Sequence, residues 1–261
     1  GYSPPYLSLG IRKMSHEIID LGSGFWNIRG SFKLGGLIDI GTQCSLVKLE
    51  SGKFIFLDSY TLSDEVREEV MALTHNGDDV EAILNLHPFH TVHCAQMAKD
   101  FPKAINYGSE RHKKQVPEVS WAEDLVESKA VAERYPELEF SLPKGIYYIS
   151  PNEMIHASSL LAYHPASRSL HVDDTFITPP SKILKAVLPE LGLHPTTKKA
   201  LTDHPTAGQD YCDWAESIAE KWQDTRNLCA AHSDLVRFEA GEFKAALLKA
   251  VEKARPKLEN A

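Results

Sequence analysis

The segment 85–94, NLHPFHTVHC, sets three histidines at intervals of three: His87, His90 and His93. Imidazole is the commonest metal ligand in proteins, so this spacing raises a metal site. Other His and Asp residues follow runs that read as apolar strands. They are His156 after YYISPNEMI, Asp173 and Asp174 after RSLHV, and His232 after LCAA. Strand ends along one edge of a layered fold bring together residues far apart in sequence. Zinc takes several N or O ligands at ~2.0–2.2 Å, which such a gathering supplies. A water on the ion becomes acidic enough to attack an ester, thioester, amide or phosphoester.

The elements that must place these residues are legible in outline. EIIDLGSGFWNIRG and CSLVKLESGKFIFLD read as strands, with ESGK a hairpin turn between Leu49 and Phe54. LSDEVREEVMALT carries Val66, Val70 and Leu73 at helical spacing, and Ser63 is its N-cap. VEAILNL is a short buried strand ending at His87, and residues 92–100 are a helix starting in the histidine stretch. KAINYGSERHKK reads as a strand, a loop and a helix start, and 117–137 are polar with several helix formers. Strands resume with GIYYIS and with SSLLAYHPASRSLHVDDTF, where HPAS marks a hairpin turn. Residues 181–226 read as mostly helical, and the last helix shows Phe243, Leu247, Leu248 and Val251 on one stripe. The order is β-rich, α, β, α, stated twice. It predicts an α/β (α+β) domain with two mixed sheets face to face and helices outside. Residues 14–261 read as a single domain; residues 1–13, ahead of the start-like MSHEIIDLGSG, read as a leader or extension.

The chain has 261 residues and a formal charge of −8. That balance argues against nucleic acid or an anionic membrane as the main partner, and leaves a small molecule as the expected ligand. No apolar stretch approaches the ~20 residues of a membrane span. Cys44, Cys94, Cys212 and Cys229 lie far apart with no C-x-x-C pair, which fits reduced thiols in a cytoplasmic protein.

The order and spacing of these segments resemble the metallo-β-lactamase fold superfamily, a four-layer αββα sandwich, from about Glu17 to the last helix. CSLVKLESGKFIFLDSY is similar to its opening hairpin, which ends in an aspartate, here Asp58. MIHASSLLAYHPASRSLHVDDTF resembles its G-H-T-x-G segment running on to a G-D-T strand end, and LCAAHSD resembles its late G-H strand end. The resemblance implies metal-ligand roles for His156, Asp174 and His232, with Asp174 the bridging carboxylate. The signature H-x-H-x-D-H is incomplete. Aligned without a gap, His90 and His93 match its second and last histidines, Pro88 stands for the first, and Val92 stands for the aspartate. One metal position then keeps His90 and His156, and the other keeps His93 and His232. A local bulge would bring His87 into the first.

The implied activity is metal-assisted hydrolysis with a reduced, mononuclear site holding one ion, zinc or iron, and with Asp174 orienting water or moving protons. The alternative is a fold member without catalysis and with no metal, acting as a binding or scaffold protein. Each candidate also has a plainer role. His87, His90 and His93 can be core or helix-start histidines, His156 a strand-end histidine, and His232 a loop residue. Neighbours in a strand face opposite ways, so Asp174 is expected in the cleft and Asp173 in a structural role. Asp58 is expected to stiffen the loop under the site, Cys94 to be a packed thiol, the four tryptophans to pack, and His164, His194 and His204, each beside a proline, to be surface turn residues.

Overall fold

The computed structural model describes residues 16–30, 43–178, 191–231 and 233–260. The leader assigned to 1–13 and the candidate ligand His232 lie outside the described residues.

Period-two alternation builds the two-sheet core. The first sheet has strands β1 (His16–Asp20), β2 (Phe25–Gly30), β3 (Gln43–Lys48), β4 (Phe54–Leu57), β5 (Val80–Leu84) and β6 (Ile105–Tyr107), side by side in sequence order. It is antiparallel up to β4 and parallel from β4 to β6. In β3 and β4, Leu46, Phe54 and Phe56 pack outward with Val66 and Val70, while Val47, Ile55 and Leu57 pack inward. The outward set is covered by helices α1 (Asp64–Leu73) and α2 (Cys94–Asp100). Ser63 caps α1 by accepting the Val66 amide at 3.4 Å. Two short helices, α3 (Glu110–Gln115) and α4 (Lys129–Arg134), follow β6.

The second sheet contains β7 (Glu139–Ser141), β8 (Leu161–His164), β9 (Ser169–His171), β12 (Asn227–Cys229) and β13 (Val236–Arg237) in the order β13-β12-β9-β8-β7. Between β9 and β12 come a small ribbon, β10 (Phe176–Ile177) with β11 (Gly192–Leu193), and helices α5 (Thr197–Ala200) and α6 (Ala207–Lys221). Alternation repeats in β8. Ala162 shares a core with Val47, Ile55 and Leu84 of the first sheet, whereas Leu161 and Tyr163 face α6 and the last helix, α7 (Glu242–Glu259). The layers are therefore helices, sheet, sheet, helices, as the order of elements predicts. Burial of each large inner side chain contributes about 1.5–3 kcal/mol.

One predicted strand is absent. GIYYIS forms only an isolated bridge, Ile146 to Leu201. Gly145 takes φ +77°, and a Cβ there would collide with the Ala207 carbonyl, so the segment runs tight against the start of α6 instead of along a sheet edge. HPAS does turn β8 into β9.

The ends of the parallel pairs β4–β5 and β9–β12 meet at one edge, because a polar cluster between the sheets ties them together. Gln43 Nε2 donates to the carbonyls of Val172 at 3.1 Å and Cys229 at 2.9 Å. The buried Arg29 guanidinium donates to the Ala230 carbonyl at 2.6 Å and to the Ser233 carbonyl. Burial lowers the Arg29 pKa, with partial compensation from Cys229 and Asp234.

Candidate metal centre

At this edge His87 and Asp174 sit just past the ends of β5 and β9, while His156 comes from the loop before β8. His87 follows β5, and its loop is anchored from below. Asp58, just after β4 in a left-handed conformation (φ +70°), accepts the Leu86 amide at 2.9 Å through Oδ1. The Leu86 carbonyl accepts from the Leu160 amide at 3.0 Å and the Tyr148 hydroxyl at 3.1 Å. Asp58 thus stiffens the loop, as its position in the sequence suggests.

Asp174 collects three imidazoles. Its Oδ2 lies 2.8 Å from His87 Nε2, 3.2 Å from His90 Nε2 and 3.6 Å from His156 Nδ1. His87 and Asp174 are buried, while His156 is 40% exposed and opens the group to solvent. The His87 and His90 rings stack at 3.8 Å, only 7° from parallel. Burial and the adjacent His90 lower the pKa of His87. Burial opposes charge on His90 too, but Asp174, then Asp173 and Asp58, outweigh it and raise that pKa. The two shifts diverge, so of the stacked rings His90 holds a proton more readily than His87. One donor atom each from His87, His156 and Asp174 lies within 4.8 Å of the others, so the trio could hold a metal ion.

His87 lies beside Asp174, and the hydrogen bonding of its turn sets a tautomer. His87 Nδ1 accepts the Phe89 amide at 3.1 Å, which leaves the proton on Nε2, pointing at Asp174. The other His-Pro steps use the same device. The Nδ1 atoms of His164, His194 and His204 accept the amides of Ser167 at 3.3 Å, Thr196 at 3.1 Å and Thr206 at 3.2 Å. His194 and His204 are turn residues as expected, whereas His164 is the buried last residue of β8 and not a surface turn residue; the His194 ring centroid lies 6.1 Å from that of His156.

Among the described residues, His93 is not in the trio of donors that lie within 4.8 Å of one another. Its Nδ1 lies 2.7 Å from the Thr61 hydroxyl and its ring 5.1 Å from that of Tyr60. Val92 is 69% exposed. Val92 and His93 lie in the turn that leads into α2, and an exposed valine stands where H-x-H-x-D-H has its aspartate. Cys94 is buried, and burial pushes its thiol up to about 12, so it packs and does not attack.

Asp173 turns the opposite way from Asp174, into a second buried group that the sequence did not single out. His171 Nε2 lies 2.8 Å from Asp58 Oδ2 and 3.5 Å from Asp173 Oδ1, and its Nδ1 lies 2.8 Å from the Ser45 hydroxyl. Burial works against the His171 charge, but hydrogen bonds to the two carboxylates bring it up to about 9. Burial and the Asp173 charge push Asp58 up to about 7, despite His171; the same imidazole holds Asp173 below the ordinary carboxylate range. This trio could also hold a cation, but its hydrogen bonds already make it a charge clamp between the sheets. Arg111 was also missed. Its guanidinium stacks 4.3 Å from the Phe89 ring and donates to the Pro88 carbonyl at 3.0 Å, and Phe89 in turn packs 5.4 Å from the His156 ring.

Comparison with known proteins places this architecture. No family model and no curated protein matches the sequence. Among solved structures, a metallo-β-lactamase from Erythrobacter litoralis superposes with a TM-score of 0.59 at 14% identity, covering 92% of this chain and 100% of that one. The metallo-β-lactamase FIM-1 from Pseudomonas aeruginosa, in its mono-zinc form, gives 0.55 at 12% identity, covering 92% and 96%. A fragment assigned as a diflavin flavoprotein from a Nostoc species gives 0.59 at 13% identity, covering 96% and 100%. The chain has the metallo-β-lactamase fold. Among the described residues no helix is long and apolar enough to cross a membrane.

Proposed function

We propose that the protein is a metal-dependent hydrolase of a small-molecule ester, thioester, amide or phosphoester, working in the cytoplasm with one zinc or iron ion held by His87, His156 and Asp174. The convergence of these three donors within 4.8 Å at the strand-end edge carries the reading. An ion there supplies Lewis acidity and lowers the pKa of its water toward about 7. His90, beside Asp174 and inclined to hold a proton, can hand that proton to a leaving oxygen or nitrogen from Nε2. Exposed His156 marks the side from which substrate enters. Four buried, unpaired cysteines agree with a reducing compartment.

A second reading is favoured by the Phe89 amide on His87 Nδ1. It keeps the Nε2 lone pair occupied by a proton and makes His87 a donor to Asp174, as in a metal-free binding or scaffold protein. Elemental analysis of the purified chain decides. The hydrolase reading expects between a substantial fraction of one ion and one ion per chain, with hydrolysis of generic esters or phosphoesters lost on chelation. A chain with no ion even after incubation with zinc and iron(II) would establish the second reading.

A further inference from the structure

A cleft of about 560 Å³ lies between the β10–β11 ribbon and the C-terminal half of α7. That is the size of a small-molecule site, about 300–1,000 Å³ in general. Its floor is apolar, with Ile177, Leu193, Ala254 and Leu258. Its lining also includes three lysines: Lys198 of α5, and Lys253 and Lys257 one turn apart on α7. All three are exposed, and none has a carboxylate partner among the described residues. Like charges at this i,i+4 spacing repel weakly, and an anion beside the pair relieves that repulsion. In a chain of net charge −8, three uncompensated lysines at one apolar cleft are a local exception. One lining residue adjoins the candidate metal centre: the His194 ring is 6.1 Å from that of His156.

We propose that this cleft binds an amphiphilic anion as a single free molecule, its apolar chain on the floor and its carboxylate or phosphate at Lys198, Lys253 and Lys257. Under the hydrolase reading, on which this assignment to a substrate rests, the chain and anionic group form the part of the substrate held away from the cleaved bond, which lies at the His194–His156 end. The apolar floor supplies affinity by removing chain surface from water, and the lysines select an anionic amphiphile over a neutral one.

The test is a fluorescence titration of the full chain, stripped of metal by chelator, with 11-(dansylamino)undecanoate and with its methyl ester. Binding alone is read, so the result is independent of metal content and of activity. The carboxylate is expected to bind saturably, one per chain, and to weaken with added salt. Ala254→Trp fills the floor and should weaken both probes by about tenfold or more. The triple variant Lys198→Glu, Lys253→Glu, Lys257→Glu changes only surface residues, and should weaken the carboxylate by about tenfold or more while leaving the ester within about threefold. Absence of saturable binding, unchanged binding in folded Ala254→Trp, or equal losses of ester and carboxylate in the lysine variant would overturn the proposal. Saturable binding to a chain that takes up no metal would keep the cleft and remove only its link to hydrolysis.

Discussion

His87 Nε2 stands 2.8 Å from Asp174 Oδ2 with both side chains buried, and this contact joins the end of the first sheet's β5 to the segment leaving the second sheet's β9. In Asp174→Asn the amide nitrogen or the weaker amide oxygen must face three imidazoles. Hydrogen bonds to a charged group contribute about 1.5–3 kcal/mol, so urea unfolding of the metal-free variant should show a loss of that order. Zinc should raise the melting temperature of the parent and leave that of the variant in place. A variant with the parent's full zinc response would remove Asp174 from the ligand set.

The tautomer of His87 separates the two functional readings directly. Metal-free protein should show, by nitrogen-15 NMR, a protonated Nε2 and a bare Nδ1, as the Phe89 amide requires. If His87 binds the ion through Nε2, metal must move the proton to Nδ1 and displace the Phe89 amide. Retention of the Nε2 proton in a metal-loaded protein would show that His87 only orients Asp174.

The buried clamp at His171 predicts an alkaline limit to stability. Its folded pKa of about 9 exceeds the ordinary imidazole value, so the folded state holds the proton more tightly than the unfolded chain. The resulting stabilisation is complete below about pH 6.5 and is lost as pH rises through about 9. Asp58, raised to about 7, acts in the same direction, because its proton too is held more tightly when folded. His171→Gln should flatten the fall in stability between pH 6.5 and 9. It should also lower stability at pH 6 by about 3–5 kcal/mol, since the buried Asp173 carboxylate loses its cation. An unchanged pH slope in the variant would assign the alkaline loss to other groups.

Much of this arrangement was legible, and the illegible parts share a cause. The layers could be read because alternation in β3, β4 and β8 and the helical stripe of α7 are local patterns. Strand alternation allowed only one of Asp173 and Asp174 in the cleft, and the family resemblance pointed to Asp174. The sequence also offered His87 as a substitute for the missing first histidine, and His87 does lie beside His156 and Asp174. What was missed depends on contacts across the chain. His171 looks like an ordinary strand residue until Asp58, 113 positions away, is brought against it. Arg111 carries no motif, and only folding stacks it on Phe89. The one signal available for His171 was a histidine two residues before Asp173 in an otherwise apolar strand, where a buried imidazole needs a partner.

Arg111 should act through the histidine loop and not by touching an ion. Its hydrogen bond to the Pro88 carbonyl and its stacking on Phe89 hold the turn that presents His87 and supports His156. Support of this kind is commonly worth about 10–100-fold in metal affinity. Arg111→Ala should therefore weaken zinc binding by at least about tenfold, measured with a competing chelator, without changing the number of ions bound at saturation. Arg111→Lys keeps the charge but not the planar stack and should recover little of it. Full recovery in Arg111→Lys would mean that charge, not stacking, is what matters.

Restoring the incomplete signature tests whether the loop retains the geometry that the signature implies. Pro88→His with Val92→Asp completes H-x-H-x-D-H on paper. With Val92 69% exposed and His93 bonded to Thr61, the new carboxylate at 92 points to solvent and His93 stays outside the cleft. Residue 88 is buried in the turn that His87 closes on the Phe89 amide, and a histidine there gives up proline's fixed φ. Relaxing that turn lets the unfolded chain and alternative loop shapes compete, a cost of about 0.4–1 kcal/mol. The double variant is therefore expected to melt below the parent, and its zinc-induced rise in melting temperature should not exceed the parent's. It should bind no second ion by elemental analysis. A second ion, or a larger zinc response than the parent's, would show that residues 92 and 93 can swing inward, and the single-ion assignment would give way to a two-metal site awaiting two ligands.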